Sequence, residues 1–226
     1  MHDIVYFVKE SESNEELRYS LRTLANFPHR KVWLYGFCPS WCKPDGFIYV
    51  EQDQDNKWHN VGKQIKLAVK NNKISSNFWL FNDDFYIMEK VEKPTNYHNG
   101  DLYKRIVTLE DYYKRCTGYS IALRQCAKEV EALSNTSRNY ELHVPMLINR
   151  KKAQELHNIA DSYGFRSLYG NYFNIKSKDM RDVKIINPTL KYKGGPYLST
   201  DDTSFSIGQV GKQIRDAFPD KCIYEK

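Results

Sequence analysis

The chain has 226 residues, 41% hydrophobic and 27% charged, a globular composition at a size that suits one domain with its own core and excludes a disordered or fibrous protein. No apolar run approaches the roughly eighteen residues a spanning helix needs, the N-terminus shows no basic-then-apolar leader, and five irregularly spaced Cys argue against a disulfide framework, so the expected setting is cytoplasmic. A net charge of +6 favours polyanionic partners such as nucleotides, phosphorylated substrates, nucleic acid or an anionic membrane face, without choosing among them.

Asp3-Ile4-Val5-Tyr6-Phe7-Val8 reads as a buried strand, and Ser13-Asn14-Glu15-Glu16 as an S-x-x-E cap in which hydroxyl and carboxylate satisfy opposite orphan amides. Leu17, Leu21 and Leu24 then recur at i, i+4, i+7, predicting a helix that runs to about Asn26 and is closed by Pro28. Val32–Tyr35 and Phe47–Val50 are the next two strands. A helix over 61–71, capped by Asn60 and carrying Val61, Ile65 and Ala68 on one face, precedes a fourth strand, Phe78–Phe81. Strands alternating with helices predict an α/β fold with a mostly parallel central sheet and helices on both faces. The second half is richer in helix. Tyr119, Leu123, Cys126, Val130 and Leu133 form one stripe, Ala153, Leu156 and Ile159 another; Lys193-Gly194-Gly195-Pro196 is a loop, and a last helix spans about 207–217.

In parallel sheets ligands bind beyond the carboxyl ends of the strands, here after Val8, Tyr35 and Phe81. The segment after Phe81 is Asn82-Asp83-Asp84, and carboxylates there suit Mg²⁺ or Mn²⁺ shared with substrate phosphates. An extended chain would put Asn82 and Asp84 on one face with Asp83 buried; a turn after Phe81 would reverse that preference. His143, before Val144-Pro145, is placed on a strand or loop and could serve as metal ligand, base or phosphate partner. Arg18 and Lys63, early in helices that follow strands, could reach a pyrophosphate. Asp201 or Asp202 could supply a base, or cap a helix. Triphosphate and dinucleotide glycine loops, H-E-x-x-H and G-x-S-x-G are absent, and Cys38-x₃-Cys42 lacks the second pair of a zinc site.

The helix Glu16-Leu17-Arg18-Tyr19-Ser20-Leu21-Arg22 followed by Asn82-Asp83-Asp84-Phe85 resembles the core of GT-A-type glycosyltransferases, within a bacterial and phage group that shares features with the Stealth family of sugar-phosphate transferases. His143-x-Pro145, Ser167–Asn171 and Ser199–Phe205 also resemble that group. The resemblance implies a single GT-A-like domain with a nucleotide-sugar half over 1–90 and an acceptor half over 91–226. It implies Asp83 and Asp84 on Mn²⁺ or Mg²⁺ and diphosphate, Arg18, Lys63 and Asn82 toward the nucleotide-sugar, and His143 at the metal or the acceptor. Two departures stand out: the N-D-D triplet is not D-x-D, and Asp3–Val8 lacks the W-V-D-G-S-D of Stealth proteins, which favours plain glycosyl transfer over sugar-phosphate transfer.

The expectation is therefore a metal-dependent glycosyltransferase using a UDP-type sugar, with Asp201, Asp202 or His143 as base and a surface glycan or hydroxymethylated phage DNA as acceptor. The alternatives are Stealth-like sugar-1-phosphate transfer, or a non-catalytic nucleic-acid-binding module resting on charge and 14% aromatic residues.

Overall fold

The fold is that of a computed structural model, which describes residues 1–53, 57–157 and 164–226, with 57–59 and 157 described as backbone alone. Ile159, expected in the second helical stripe, lies outside the described residues. The chain is a mixed α/β structure. Strand β1 (His2–Val8) is followed by α1 (Glu15–Thr23), which passes through a 3₁₀ turn at Leu24–Asn26 into β2 (His29–Gly36). Strand β3 (Gly46–Tyr49) comes next without a helix between, then α2 (Lys57–Lys70) and β4 (Asn77–Asn82). After β5 (Phe85–Ile87) and β6 (Tyr97–His98) come α3 (Leu102–Tyr113), α4 (Gly118–Leu133), β7 (Met146–Asn149), α5 (Arg150–His157) and α6 (Phe165–Tyr172). The chain ends with β8 (Lys178–Asp179), β9 (Lys184–Ile185), β10 (Tyr197–Thr200), α7 (Asp202–Ser206) and α8 (Gln209–Ala217).

The central sheet has the order β3-β2-β1-β4-β7, parallel except for the antiparallel edge strand β7. The central strands β1 and β4 and the second half of β2 are buried on both faces, which is why they read as continuous apolar runs, whereas the edge strand β3 exposes Phe47, Ile48 and Tyr49. Successive side chains still segregate: Val5, Phe7, Trp33, Tyr35, Phe78 and Leu80 enter one core with α2, α4 and α6, while Ile4, Tyr6, Val8, Val32, Leu34, Trp79 and Phe81 enter the other with α1. A second sheet, β5-β10-β9, joins the strand after the Asp pair to the C-terminal region.

The helix start at α1 differs from the expected cap. Asn14, not Ser13, is the N-cap: its Oδ1 accepts from the Leu17 amide at 3.1 Å. Its backbone lies at φ 25°, ψ 58°, where a short amide side chain is better tolerated than most. This leaves Glu16 with no capping duty.

Candidate functional site

Helix α1 lies on one face of the sheet and α2 on the other, so the connections around the neighbouring strands β1 and β4 leave in opposite directions. That is the topological switch point, where a crevice opens beyond the carboxyl ends. A cleft of about 370 Å³ lies there, lined by Val8 and Lys9 at the end of β1, Asn82–Asp84 at the end of β4, Glu16 of α1, and Asn60, Val61 and Gln64 of α2. Gln52 and Asp53 close one side, and Lys184, Thr200, Asp201 and Asp202 the other.

The chain turns immediately after Asn82, at Asp83-Asp84. Asp83 accepts from the Lys9 amide and from Asn14 Nδ2, each at 3.4 Å, so one side chain ties the end of β1, the start of α1 and the Asp pair together. Burial, with the neighbouring Asp84 charge, pushes the Asp83 carboxyl up to about 6. Asp84 Oδ2 accepts from Lys184 Nζ at 2.8 Å and Ser199 Oγ at 3.0 Å, while Oδ1 is buried with no hydrogen-bond partner. Strand register explains the delivery: Ser199 stands opposite Phe85 across β10–β5, and opposite Lys184 across β10–β9. Burial opposes the charge of Lys184, yet Asp84 and, further off, Glu16 hold the amine above its ordinary value.

Glu16 accepts from Thr200 Oγ1 at 3.2 Å. Burial first, then the charges of Asp84, Asp83 and Asp202, push its carboxyl up to about 8. Glu16 is thus held protonated at neutral pH, by burial first and then by the acids around it. Among the described residues no three His, Cys, Asp or Glu side chains converge as a ready-made metal cage. The set nevertheless fits Mg²⁺ or Mn²⁺, which usually take one or two carboxylates and complete their shell with water and substrate phosphates; the orphaned Asp84 Oδ1 is the atom with an open valence for it.

Of the residues singled out from sequence, Asn82, Asp83, Asp84, Asp201 and Asp202 meet in this cleft. Asp201 also caps α7, accepting from the Ser204 amide at 2.9 Å. His143, Arg18 and Lys63 are not among its lining residues. His143 sits in non-helical chain, as Pro145 requires, and its Nδ1 lies 2.9 Å from Asp182 Oδ2 with the ring edge-on to Phe85. Burial works against the charge of Asp182, but the hydrogen bond and charge of His143, with Arg105, hold the carboxyl below its usual value. Arg18 stacks over Trp41 at 4.5 Å and lies 3.3 Å from Glu15 and 3.9 Å from Glu225. The cleft takes Asn60, Val61 and Gln64 from α2, and Lys63 stands off that face.

Sequence reasoning missed Glu16, Lys184, Ser199 and Thr200. For Glu16 a signal existed: Glu16, Ser20 and Thr23 form a polar stripe at i, i+4, i+7 beside the leucine stripe. In the fold Ser20 Oγ lies 2.9 Å from Tyr6 Oη and donates to the Phe85 carbonyl, while Thr23 Oγ1 accepts from the Ile87 amide at 3.0 Å.

No protein-family model matches this chain, and no curated protein matches it. Among solved structures it aligns with the glycosyltransferase GlyE of Streptococcus pneumoniae TIGR4, at 10% identity and a TM-score of 0.39, over 79% of this chain. The chain spans 45% of the length of that protein.

Proposed function

We propose that this cleft transfers a glycosyl group from a nucleotide-sugar, UDP-linked in the first reading, to a hydroxyl acceptor, with Mn²⁺ or Mg²⁺ held by Asp83 and Asp84. The observation that carries the proposal is the Asp83-Asp84 turn at the switch point of a parallel sheet, with one buried carboxylate oxygen unpartnered in a crowd of acids. The sequence resemblance to GT-A-type enzymes points the same way. When bound, the cation would offset the charge developing on the leaving diphosphate.

The chain's own residues then divide the work. Gln52 and Asn60 use their amides to fix the wall of the cleft, Gln52 bridging the Glu10 amide and the Val8 carbonyl and Asn60 bridging the amide and carbonyl of Asp53, beside Gln64 of α2. Lys184, held by Asp84, presents an ammonium beside the pair, where it can share the leaving charge. Asp202 is exposed at the rim, and hydrogen bonding between it and Glu16 favours the protonated form of Glu16. Asp202 in that pairing can accept the proton of the attacking hydroxyl. Asp201, through its cap of α7, fixes where Asp202 stands. The acceptor is a surface glycan in this reading, with hydroxymethylated DNA as the competitor in the same assay.

The test is turnover of UDP-, GDP- and CMP-sugars with Mn²⁺ or Mg²⁺, comparing wild type with Asp84→Ala by mass spectrometry of the released nucleotide. The expected result is metal-dependent release of a nucleoside diphosphate from a UDP- or GDP-sugar, reduced at least about a hundredfold in the variant. Monophosphate release from those donors would replace the proposal by sugar-phosphate transfer. Equal turnover in both proteins would remove Asp84 from the site.

A further inference from the structure

Helices α3 and α4 form an antiparallel pair whose tip carries a group of large side chains on no core. The register of the pair is set by two links: the Tyr103 hydroxyl donates to Glu131 Oε2 at 2.8 Å, and Arg124 pairs with Glu110. Continued along the helices, that register places Tyr113 beside Ile121. Around them every residue from Asp111 to Cys116 is exposed. Tyr112 is 73% exposed, Tyr113 42% and Ile121 59%. Lys114 and Arg115 follow directly, with Lys114 turning the chain at φ 52°. Glu110 is occupied by Arg124, which leaves Asp111 as the other acid between 110 and 121, so the tip is net basic.

Its position gives the tip meaning. Tyr119, Ala122 and Leu123, just beyond it on α4, line a side pocket of about 130 Å³ together with Phe7 and Asn82. Phe7 and Asn82 also line the main cleft. The tip therefore adjoins a side pocket that shares Phe7 and Asn82 with the candidate active site.

We propose that the α3–α4 tip seats on an anionic membrane surface and holds the cleft against a membrane-borne acceptor. The acceptor half of this statement rests on the glycosyl-transfer reading; the docking half does not. Tyr112 and Tyr113 have the amphipathic rings that favour the headgroup level, Ile121 adds aliphatic surface, and Lys114 and Arg115 meet lipid phosphates. Single-stranded nucleic acid fits less well, because the two tyrosines pack edge-to-face on each other at 4.9 Å and an isoleucine adds no stacking face. A second copy of the chain fits less well too, since a two-fold contact would bring two basic tips together.

The experiment is co-flotation of the full chain with vesicles of phosphatidylcholine and phosphatidylglycerol, against vesicles of phosphatidylcholine alone. Wild type is expected to float with the anionic vesicles. Lys114→Gln with Arg115→Gln should weaken partitioning about thirtyfold, because each cation near an anionic surface contributes about 1 kcal/mol. Tyr112→Ser with Tyr113→Ser should also release the protein, although its charge is unchanged. These positions are exposed, so both variants should retain the wild-type far-ultraviolet circular dichroism and Tm. Absence of flotation, or flotation independent of phosphatidylglycerol, would overturn the proposal. So would a tyrosine-dependent dimer without vesicle binding, or binding to an oligonucleotide that the same substitutions abolish. Vesicle binding is read without turnover, so it can fail while glycosyl transfer holds, and the reverse.

Discussion

Glu16 shows how burial and crowding set the charge state of the cleft. Its folded-state carboxyl is pushed up to about 8, against an ordinary value of 4.5, by burial and then by Asp84, Asp83 and Asp202. The folded chain thus holds a proton there that the unfolded chain gives up, and stability falls as pH rises between those two values. The protein is expected to lose on the order of a few kcal/mol from this source between pH 5 and pH 8. Glu16→Gln should flatten that slope, so that urea midpoints of wild type and variant diverge most at pH 8. A variant whose midpoint tracks wild type across the range would show that Glu16 is not the titrating group. Lys184 makes the complementary case. Lys184→Met leaves the Asp84 carboxylate without its ammonium, at an expected cost of about 1–3 kcal/mol, discounted because the pair is partly exposed. If Asp84 also binds a divalent cation, Mn²⁺ should raise the Tm of this variant more than that of wild type. Equal shifts would separate Lys184 from the cation's ligands.

At the scale of elements, two carboxylates adjacent in sequence have separable duties. Asp201 accepts from the Ser204 amide and starts α7, whereas Asp202 lies in its first turn and faces the acids of the cleft. Asp201→Ser keeps an oxygen for the cap and should hold Tm close to wild type, while Asp201→Ala should cost about 1 kcal/mol. Asp202→Asn should leave stability within about 0.5 kcal/mol and reduce turnover of a nucleotide-sugar. Were Asp201→Ser the variant that lost turnover at unchanged Tm, the base would be Asp201. The elements themselves were largely legible in the sequence. The apolar run of β1 and the leucine stripe of α1 carry their own periodicities, and Asp83-Asp84 is visible because its residues are contiguous and directly follow a strand. Lys184 and Ser199 were not legible, since they reach Asp84 from 100 and 115 residues away through strands of two and four residues. Such short strands leave no periodic trace. The cap at Asn14 was misread as Ser13 because a helix start depends on a local φ that composition does not encode.

For the whole molecule, charge is segregated. The chain carries +6, yet Glu10, Glu16, Asp53, Asp83, Asp84, Asp201 and Asp202 line the cleft against Lys9 and Lys184. In the proposed reading, a diphosphate entering that crevice would be drawn by the protein as a whole and repelled by the crevice itself, so that its binding would depend on a cation. Two unit charges about 4 Å apart interact by about 4 kcal/mol at an effective dielectric of 20. Offsetting even part of one such repulsion is worth tenfold or more in affinity. Calorimetric titration with uridine diphosphate is therefore expected to give a Kd at least about tenfold lower with Mn²⁺ than with a chelator. Linkage requires uridine diphosphate to tighten Mn²⁺ by the same factor, an internal check on the measurement. Both affinities should rise with pH from 6 to 8, because the cation must displace the protons that burial and mutual repulsion place on Asp83 and Glu16. Uridine diphosphate binding equally well under chelation would mean that Lys9 and Lys184 hold the phosphates unaided. Asp83 and Asp84 would then be parts of the scaffold that positions those two amines.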